Sequence, residues 1–567
     1  MHAIQDLKPL AVLFILLCAM VSSEGLYAQP KPDCGPGFTY TGGRWLAQFS
    51  PDGRAGHWVG GRCTKIAPTP PAPAPPATVV AHWTPGKYGI PVVPNFIGFG
   101  VIKILLSDGT VMAQVCTNPV TCGVQWMRLT PDAKGKYANG TWSRLSDSNF
   151  ERTDYASAVL TDGRVFFVGG EYTNSKQQGE IYDPTADKWT VVGKPPSTLF
   201  ASNEEFLDSE SMLLPNGSVL FDPVKNAGSN NTIIYDPLNN QWVAGAQFPS
   251  GRGQDEATWV KLPDDSIIVP DPDNVHSDRY FPAQNTWVDD GLIPTNAQLY
   301  KNGEMGPGFL LPNGNALFFG GTGNTAIYSP PTGTATIGSW TAGPNIPNPT
   351  GGTGVAADVA GAIMPNGKIV ITVGTNALNG GSQPPGYFYE FDPFSPNGGS
   401  FRRISAPTGD TTISFSPGNI GYLVLPDGTV MANSGDNKSG VAYFYGPNGP
   451  AVKNAKPTIA SISKNADGSF HLVGTRLNGF AAGASFGDDA QMNSNYPIVR
   501  LTNHYGVVYF GRTYNWSSTG VQTGTKVIST EFRLPSKIGY NSCGKYSLVV
   551  IANGISSDPF TFSPGNC

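Results

Sequence analysis

The chain has 567 residues, room for two or three domains with large cores. Gly (70) and Pro (50) are abundant, charged residues make up only 14% and aromatics reach 11%, a balance that excludes a disordered chain and points to turn-rich β-structure. A formal net charge of −5 leaves no basic footprint, so nucleic acid is not an expected partner.

Residues 1–28 have the pattern of a secretory signal: Lys8, an apolar run from Leu10 to Val21, then the small residues Ser22 and Ser23. That run is about half a membrane-spanning length. The mature chain is therefore expected to carry no membrane span and to be secreted or extracellular (or periplasmic, or at the cell surface). Removing Cys18 with the signal leaves six of the 7 cysteines, an even number suited to an oxidising compartment. Proximity in sequence favours the pairs Cys34–Cys63, Cys116–Cys122 and Cys543–Cys567. Residues 29–66 form a small Gly/Trp-rich segment that a disulfide would staple, and residues 67–78 are a Pro/Ala spacer.

From residue 79 to 454 one pattern recurs. Leu425-Pro-Asp-Gly-Thr-Val430 is echoed by 214–219, 311–316 and 364–369, and more loosely by 106–111, 160–165 and 262–267. Each is an Asn-Gly, Asp-Gly or similar turn between apolar runs, expected to close a hairpin with a two-residue loop. The turn residues Asp108, Asp162, Asn216, Asp264, Asn313, Asn366 and Asp427 are spaced by 54, 54, 48, 49, 53 and 61 residues. A later aromatic (Tyr182, Tyr235, Tyr328, Phe391) and a Trp (Trp189, Trp242, Trp287, Trp340) complete most copies. A period near 50 with these marks is the kelch pattern, one four-stranded propeller blade per repeat. The seventh copy lacks its Trp strand. Val79–Pro85, with Trp83, supplies one ahead of the first copy, so this strand is expected to close the ring. Residues 455–567 show short alternating strands and suggest an immunoglobulin-like sandwich. The expected fold is all-β: a seven-bladed kelch-type propeller followed by an immunoglobulin-like, early-set sandwich.

That architecture, over residues 79–567, resembles the galactose oxidase and glyoxal oxidase family, which implies copper in the propeller. The implied ligands are a tyrosine cross-linked to a cysteine, a Tyr-His pair and a histidine from the sandwich. Counting back from each turn, the cysteine falls on Gly100 and the cross-linked tyrosine on Asp154, with Tyr155 adjacent. The pair falls on Gly418-Asn419 and the family's stacking tryptophan on Tyr172, while His504 matches the sandwich histidine only with a shifted loop. Copper is therefore not the expected cofactor.

The same register carries acids. Eight residues before each turn stand Gly100, Asp154, Asp208, Glu256, Met305, Asp358 and Asn419. Equivalent positions in successive blades face one axis, so the four acids Asp154, Asp208, Glu256 and Asp358 should ring one channel mouth. Oxygen donors of this kind suit Ca²⁺; a solvated acidic rim, partly neutralised by Arg152 and Arg252, is the plainer expectation. In the sandwich, Arg500, His504, Arg512 and Trp516 either face that ring or pack the domain interface. The functional expectation is a secreted propeller that binds an extracellular glycan or protein. The alternatives are a copper oxidoreductase with an altered site (Tyr155, Tyr172, His504) and a carboxylate-based hydrolase or lyase built on Asp154 and Asp208.

Overall fold

The computed structural model describes residues 38–41, 44–46, 57–59, 62–65 and 81–565, except 90–97, 117–121, 200–204, 224–230, 250–253, 273–274, 302–303, 334–335, 379–380, 434–439, 483–493 and 539–543. The signal, the spacer, Cys34, Arg252, Cys543 and Cys567 lie outside these residues. The chain divides into two compact units, Met1–Thr78 and Val79–Cys567. In the first, Phe38–Thr41 pairs with Arg62–Lys65 and Arg44–Leu46 with His57–Val59, two small antiparallel ladders. Cys63 is disulfide-bonded there.

The second unit opens with seven four-stranded antiparallel sheets, the blades of a propeller. Blade 1 holds Gly98–Leu105 to Thr141–Arg144, blade 2 Ala156–Val159 to Lys188–Val192, and blade 3 Ser211–Leu213 to Gln241–Ala244. Blade 4 holds Val260–Lys261 to Thr286–Leu292, blade 5 Gly308–Leu310 to Ser339–Ala342, and blade 6 Gly361–Ile363 to Ser400–Ile404. Blade 7 starts at Tyr422–Val424, and its fourth strand is His82–Pro85, as the missing Trp strand predicts. Trp83 lies opposite Tyr445, their rings 4.9 Å apart, and its indole N–H donates to the Ser405 carbonyl at 2.9 Å. A closed ring leaves no sheet edge at the seam.

The repeated aromatics explain why each copy makes the same blade. Tyr182 and Trp189, Tyr235 and Trp242, Tyr280 and Trp287, and Tyr328 and Trp340 are all directly cross-strand, with ring centroids 4.9–5.1 Å apart. Such pairs add to the burial that holds outer strands on. The turns differ from expectation. In blade 2, Gly163 N–H donates to the Leu160 carbonyl and Leu160 N–H to the Arg164 carbonyl, both at 2.8 Å. The loop therefore has three residues, a type I turn with a following bulge, and only Gly163 (φ 81°) is left-handed. Pro at the second position of five other copies suits this turn. The Asp or Asn side chain accepts from the N–H two residues on, as Asp162 does from Arg164 at 2.9 Å.

Residues 458–562 form one curled eight-stranded sheet, ordered Thr458–Lys464, Phe470–Thr475, Val527–Arg533, Val508–Tyr514, Ile498–Thr502, Tyr546–Ala552 and Ile555–Ser556, with Phe560–Phe562 also on Tyr546–Ala552. It wraps a core of Phe470, Leu472, Val499, Phe532, Leu548 and Phe562, consistent with a sandwich. Among the described residues no helix is long and apolar enough to cross a membrane.

Candidate functional site: an acidic channel mouth

Each innermost strand starts at one end of the channel and reaches its Asp-Gly turn at the other. The C-terminal domain covers the turn end. The Tyr496 hydroxyl donates to the Leu105 carbonyl of blade 1. Trp516 N–H donates to Thr161 at 3.3 Å and Arg512 Nη2 to the Asp162 carbonyl at 2.6 Å, both in blade 2. Lys261 Nζ donates to the Leu213 carbonyl of blade 3 and to Thr519 of the C-terminal domain. Gln522 reaches the Leu311 carbonyl of blade 5, and Gly554 packs against Pro365 and Leu425 of blades 6 and 7. At Gly109 a Cβ would stand 2.5 Å from the Phe510 ring, so close approach requires glycine there as well as its φ of 76°.

This placement decides between the two expectations for Arg512 and Trp516, in favour of the domain interface. Arg512 and Trp516 do not face the acids; they are tied to the turn end of blade 2, a full strand length away. Trp516 is buried and stacks on Tyr496 at 4.7 Å. Arg500 lies beside Tyr137 and Asp427, also at the turn end, and burial lowers its pKa. His504 sits on an exposed turn, its ring 3.7 Å from that of Tyr505. The neighbouring Gly506 carbonyl accepts from Lys134 of blade 1. The expectation for Arg152 is corrected. Arg152 is not a rim counter-ion but fully buried, with Nε 3.2 Å from Glu180 Oε1 and Nη1 donating to the Gly169 and Gln178 carbonyls. Glu180 in turn accepts from the backbone and side chain of Asn149. Tyr155 follows Asp154 but points the other way, into the core beside Trp126 and Phe167.

The acids do gather. One oxygen from each of Asp154, Glu171 and Asp208 lies within 4.8 Å of the others, and the same holds for Asp208, Asp255 and Glu256. Asp154, Asp208, Glu256 and Asp358, the four acids of the shared register, all have left-handed backbone (φ 49°, 44°, 62° and 50°). Asp tolerates this conformation; for Glu256 it costs on the order of 1 kcal/mol, held by the surrounding structure. Asp208 is 7% exposed, and among the described residues its carboxylate accepts no hydrogen bond. Glu256 Oε2 is likewise buried without a hydrogen bond.

Burial and mutual repulsion shape the titration. Asp208 is pushed well above the carboxylate range by burial, then by Asp154, Glu171, Asp255 and Asp358. Glu256 is raised by burial, then by Glu304 and Asp208. Asp358 is raised to about 8 by burial and by Asp154 and Glu171. Glu171 rises mainly from burial, although Tyr172 donates to it and opposes the shift. The Tyr172 phenol is held neutral by that bond, and its ring is 62% exposed at the mouth. Nearby Lys176 is engaged by Glu205 at 2.9 Å. A buried pair, Glu210 and Asp222, lies beneath in blade 3, both raised by burial.

The expected ring is thus an arc over blades 2 to 4, extended by Glu304 and Asp358. Glu171 was not among the expected site residues. Its signal was the preceding Gly169-Gly170: the second strand runs antiparallel to the first, so its end lies where the first begins. The Cys116–Cys122 disulfide is present and closes the blade 1 hairpin at this same end. The donors gathered here do not fit copper. Copper in that setting needs imidazole or thiolate donors, and the described residues at the mouth offer carboxylates. His82 is exposed on the closing strand, and His276 and His471 pair with Asp289 and Glu531, at 2.8 and 2.7 Å.

No protein-family model matches the chain. Its propeller is of kelch type, and its relatives include a kelch-like protein, terF, of Aspergillus terreus, 26% identical over 144 residues. Beta-scruin of Limulus polyphemus is 29% identical over 136 residues, and N-acetylneuraminate epimerase of Yersinia enterocolitica 24% over 167. Each match covers 23% of this chain, and 30%, 14% and 42% of those relatives respectively. Among solved structures, a fungal alcohol oxidase of the AA5 family in complex with copper aligns over 86% of this chain and 100% of its own, with 15% identity and a TM-score of 0.47.

Proposed function

We propose that this protein is a secreted, non-redox binding propeller. Its acidic mouth takes a hard divalent cation such as Ca²⁺ and, with it, an extracellular glycan whose hydroxyl or carboxylate oxygens complete the coordination. The observation that carries this is Asp208: a nearly buried carboxylate, without a hydrogen bond, shared by two clusters of oxygens. Buried charge needs a partner, and Ca²⁺ accepts oxygen ligands at 2.3–2.6 Å in flexible geometry. The exposed Tyr172 ring offers a stacking face for a sugar beside that ion. One relative is named for an epimerase of N-acetylneuraminate, an acidic sugar, which agrees with such a ligand. Equilibrium dialysis against Ca²⁺, followed by a glycan array with and without chelator, tests the proposal. Chelator-sensitive glycan binding that disappears in Asp208→Asn is the expected result. Absence of Ca²⁺ uptake would overturn it.

A carboxylate-based hydrolase or lyase is favoured by one observation: Asp358, buried against Asp154 and Glu171, holds its proton near neutral pH as a general acid must. Turnover of a glycan that Asp358→Asn abolishes without loss of binding would establish that activity.

A further inference from the structure

We infer that the mouth holds two hard divalent cations, bridged by the Asp208 carboxylate. This rests on the cation-binding proposal and goes beyond it in number, ligands and placement.

The acids do not form one cluster but two that share a member. Asp154 and Glu171 come from blade 2, Asp208 from blade 3, and Asp255 and Glu256 from blade 4. One cluster therefore lies at the seam of blades 2 and 3, the other at the seam of blades 3 and 4. Within each, the oxygens lie within 4.8 Å of one another. Oxygens bound to one Ca²⁺ at 2.3–2.6 Å stand at most about 5 Å apart, so each cluster has the span of a single ion's shell. A carboxylate has two oxygens and can serve an ion on each side, which sets bridged metals about 3.5–4 Å apart.

Charge points the same way. The two clusters contain five carboxylates, with Glu304 and Asp358 adding to the same field. The Lys176 ammonium, which acts on Glu171, is already engaged by Glu205. One divalent ion would bring two positive charges to these five carboxylates; two would bring four. Asp208, 7% exposed and without a hydrogen bond among the described residues, is the group that most needs both ions. Each ion would keep coordination positions for ligand oxygens, since Ca²⁺ takes six to eight.

The test is stoichiometry with the full chain, using Ca²⁺ alone as probe. The expected result is two Ca²⁺ per chain. Glu171→Gln should retain one, Glu256→Gln should retain one, and Asp208→Asn should weaken both at least tenfold. With Mn²⁺ in place of Ca²⁺, electron paramagnetic resonance should show a spin-coupled pair in the parent chain and an isolated six-line signal in Glu171→Gln. Circular dichroism of each metal-free variant confirms folding, which removing a charge from a repelling cluster should not impair. One Ca²⁺ per chain, lost through only one of the two clusters, would overturn the bridged pair and leave the cation-binding proposal standing. Two Ca²⁺ unaffected by either Gln variant would place the ions elsewhere and overturn the bridged pair. No bound Ca²⁺ would overturn both.

Discussion

The two ends of the propeller channel are made by the same strands and have opposite chemistry. At the turn end, backbone carbonyls of blades 1, 2, 3 and 5 are satisfied by donors of the C-terminal domain or by Lys261. At the other end, carboxylates crowd together, four of them on left-handed backbone; Asp208 is nearly buried, and Glu256 carries a buried oxygen without a hydrogen bond. The first end optimises stability. The second gives stability up locally, which is how binding sites behave when the compensating partner is a ligand.

The comparison can be broken at the stable end first. Trp516→Ala should lower stability by about 3–5 kcal/mol, because it removes a buried indole stacked on Tyr496. Urea unfolding measures the loss, while Ca²⁺ affinity should stay within twofold. Arg152→Met should have a similar effect, about 3–5 kcal/mol, by stranding Glu180 as a buried charge. The double variant Arg152→Met/Glu180→Gln should recover much of it. Recovery of nothing would show that the guanidinium's bonds to the Gly169 and Gln178 carbonyls matter more than the ion pair.

The acidic end predicts an effect of pH. Asp208, Glu256 and Asp358 have folded pKa values raised above their unfolded ones. Their favourable contribution is complete below about pH 4 and is lost as pH rises through the folded values, for Asp358 about 8. The metal-free protein should therefore melt at a higher temperature at pH 5 than at pH 8. Ca²⁺ should raise the melting temperature at pH 8 more than at pH 5. Calorimetry at both pH values settles it, and a higher melting temperature at pH 8 without metal would contradict the repulsion argument. The smallest stability effect is expected at Tyr172. Its ring is 62% exposed, so Tyr172→Ala should change stability by no more than about 0.5 kcal/mol while lowering affinity for the glycan several-fold.

Blade number, ring closure and the Asp154, Asp208, Glu256 and Asp358 register were legible because they depend on spacing, and spacing survives in a linear string. The turn type was not. Asp-Gly suits both two-residue and three-residue loops, and only the closing pair Leu160 and Arg164 distinguishes them. Glu171 was missed because it lies in the turn just beyond the second strand, outside the register counted along the first. Tyr155 was misplaced because the left-handed backbone at Asp154, just before the strand, sends the two neighbouring side chains different ways. Arg512 and Trp516 could not be assigned from sequence, since nothing in residues 455–567 states which end of the channel they cover.

The closing strand His82–Pro85 also has a consequence for synthesis. Its partner Ala442–Gly446 lies some 360 residues later in the chain. Closing so long a loop adds little to the equilibrium cost, which grows only with the logarithm of length. In time the effect is large: a ribosome making 5–20 residues per second needs about 20–70 s to pass from one strand to the other. Throughout that interval blade 7 is unfinished and the propeller presents an open edge, so the nascent chain is the form of this protein most in need of a chaperone.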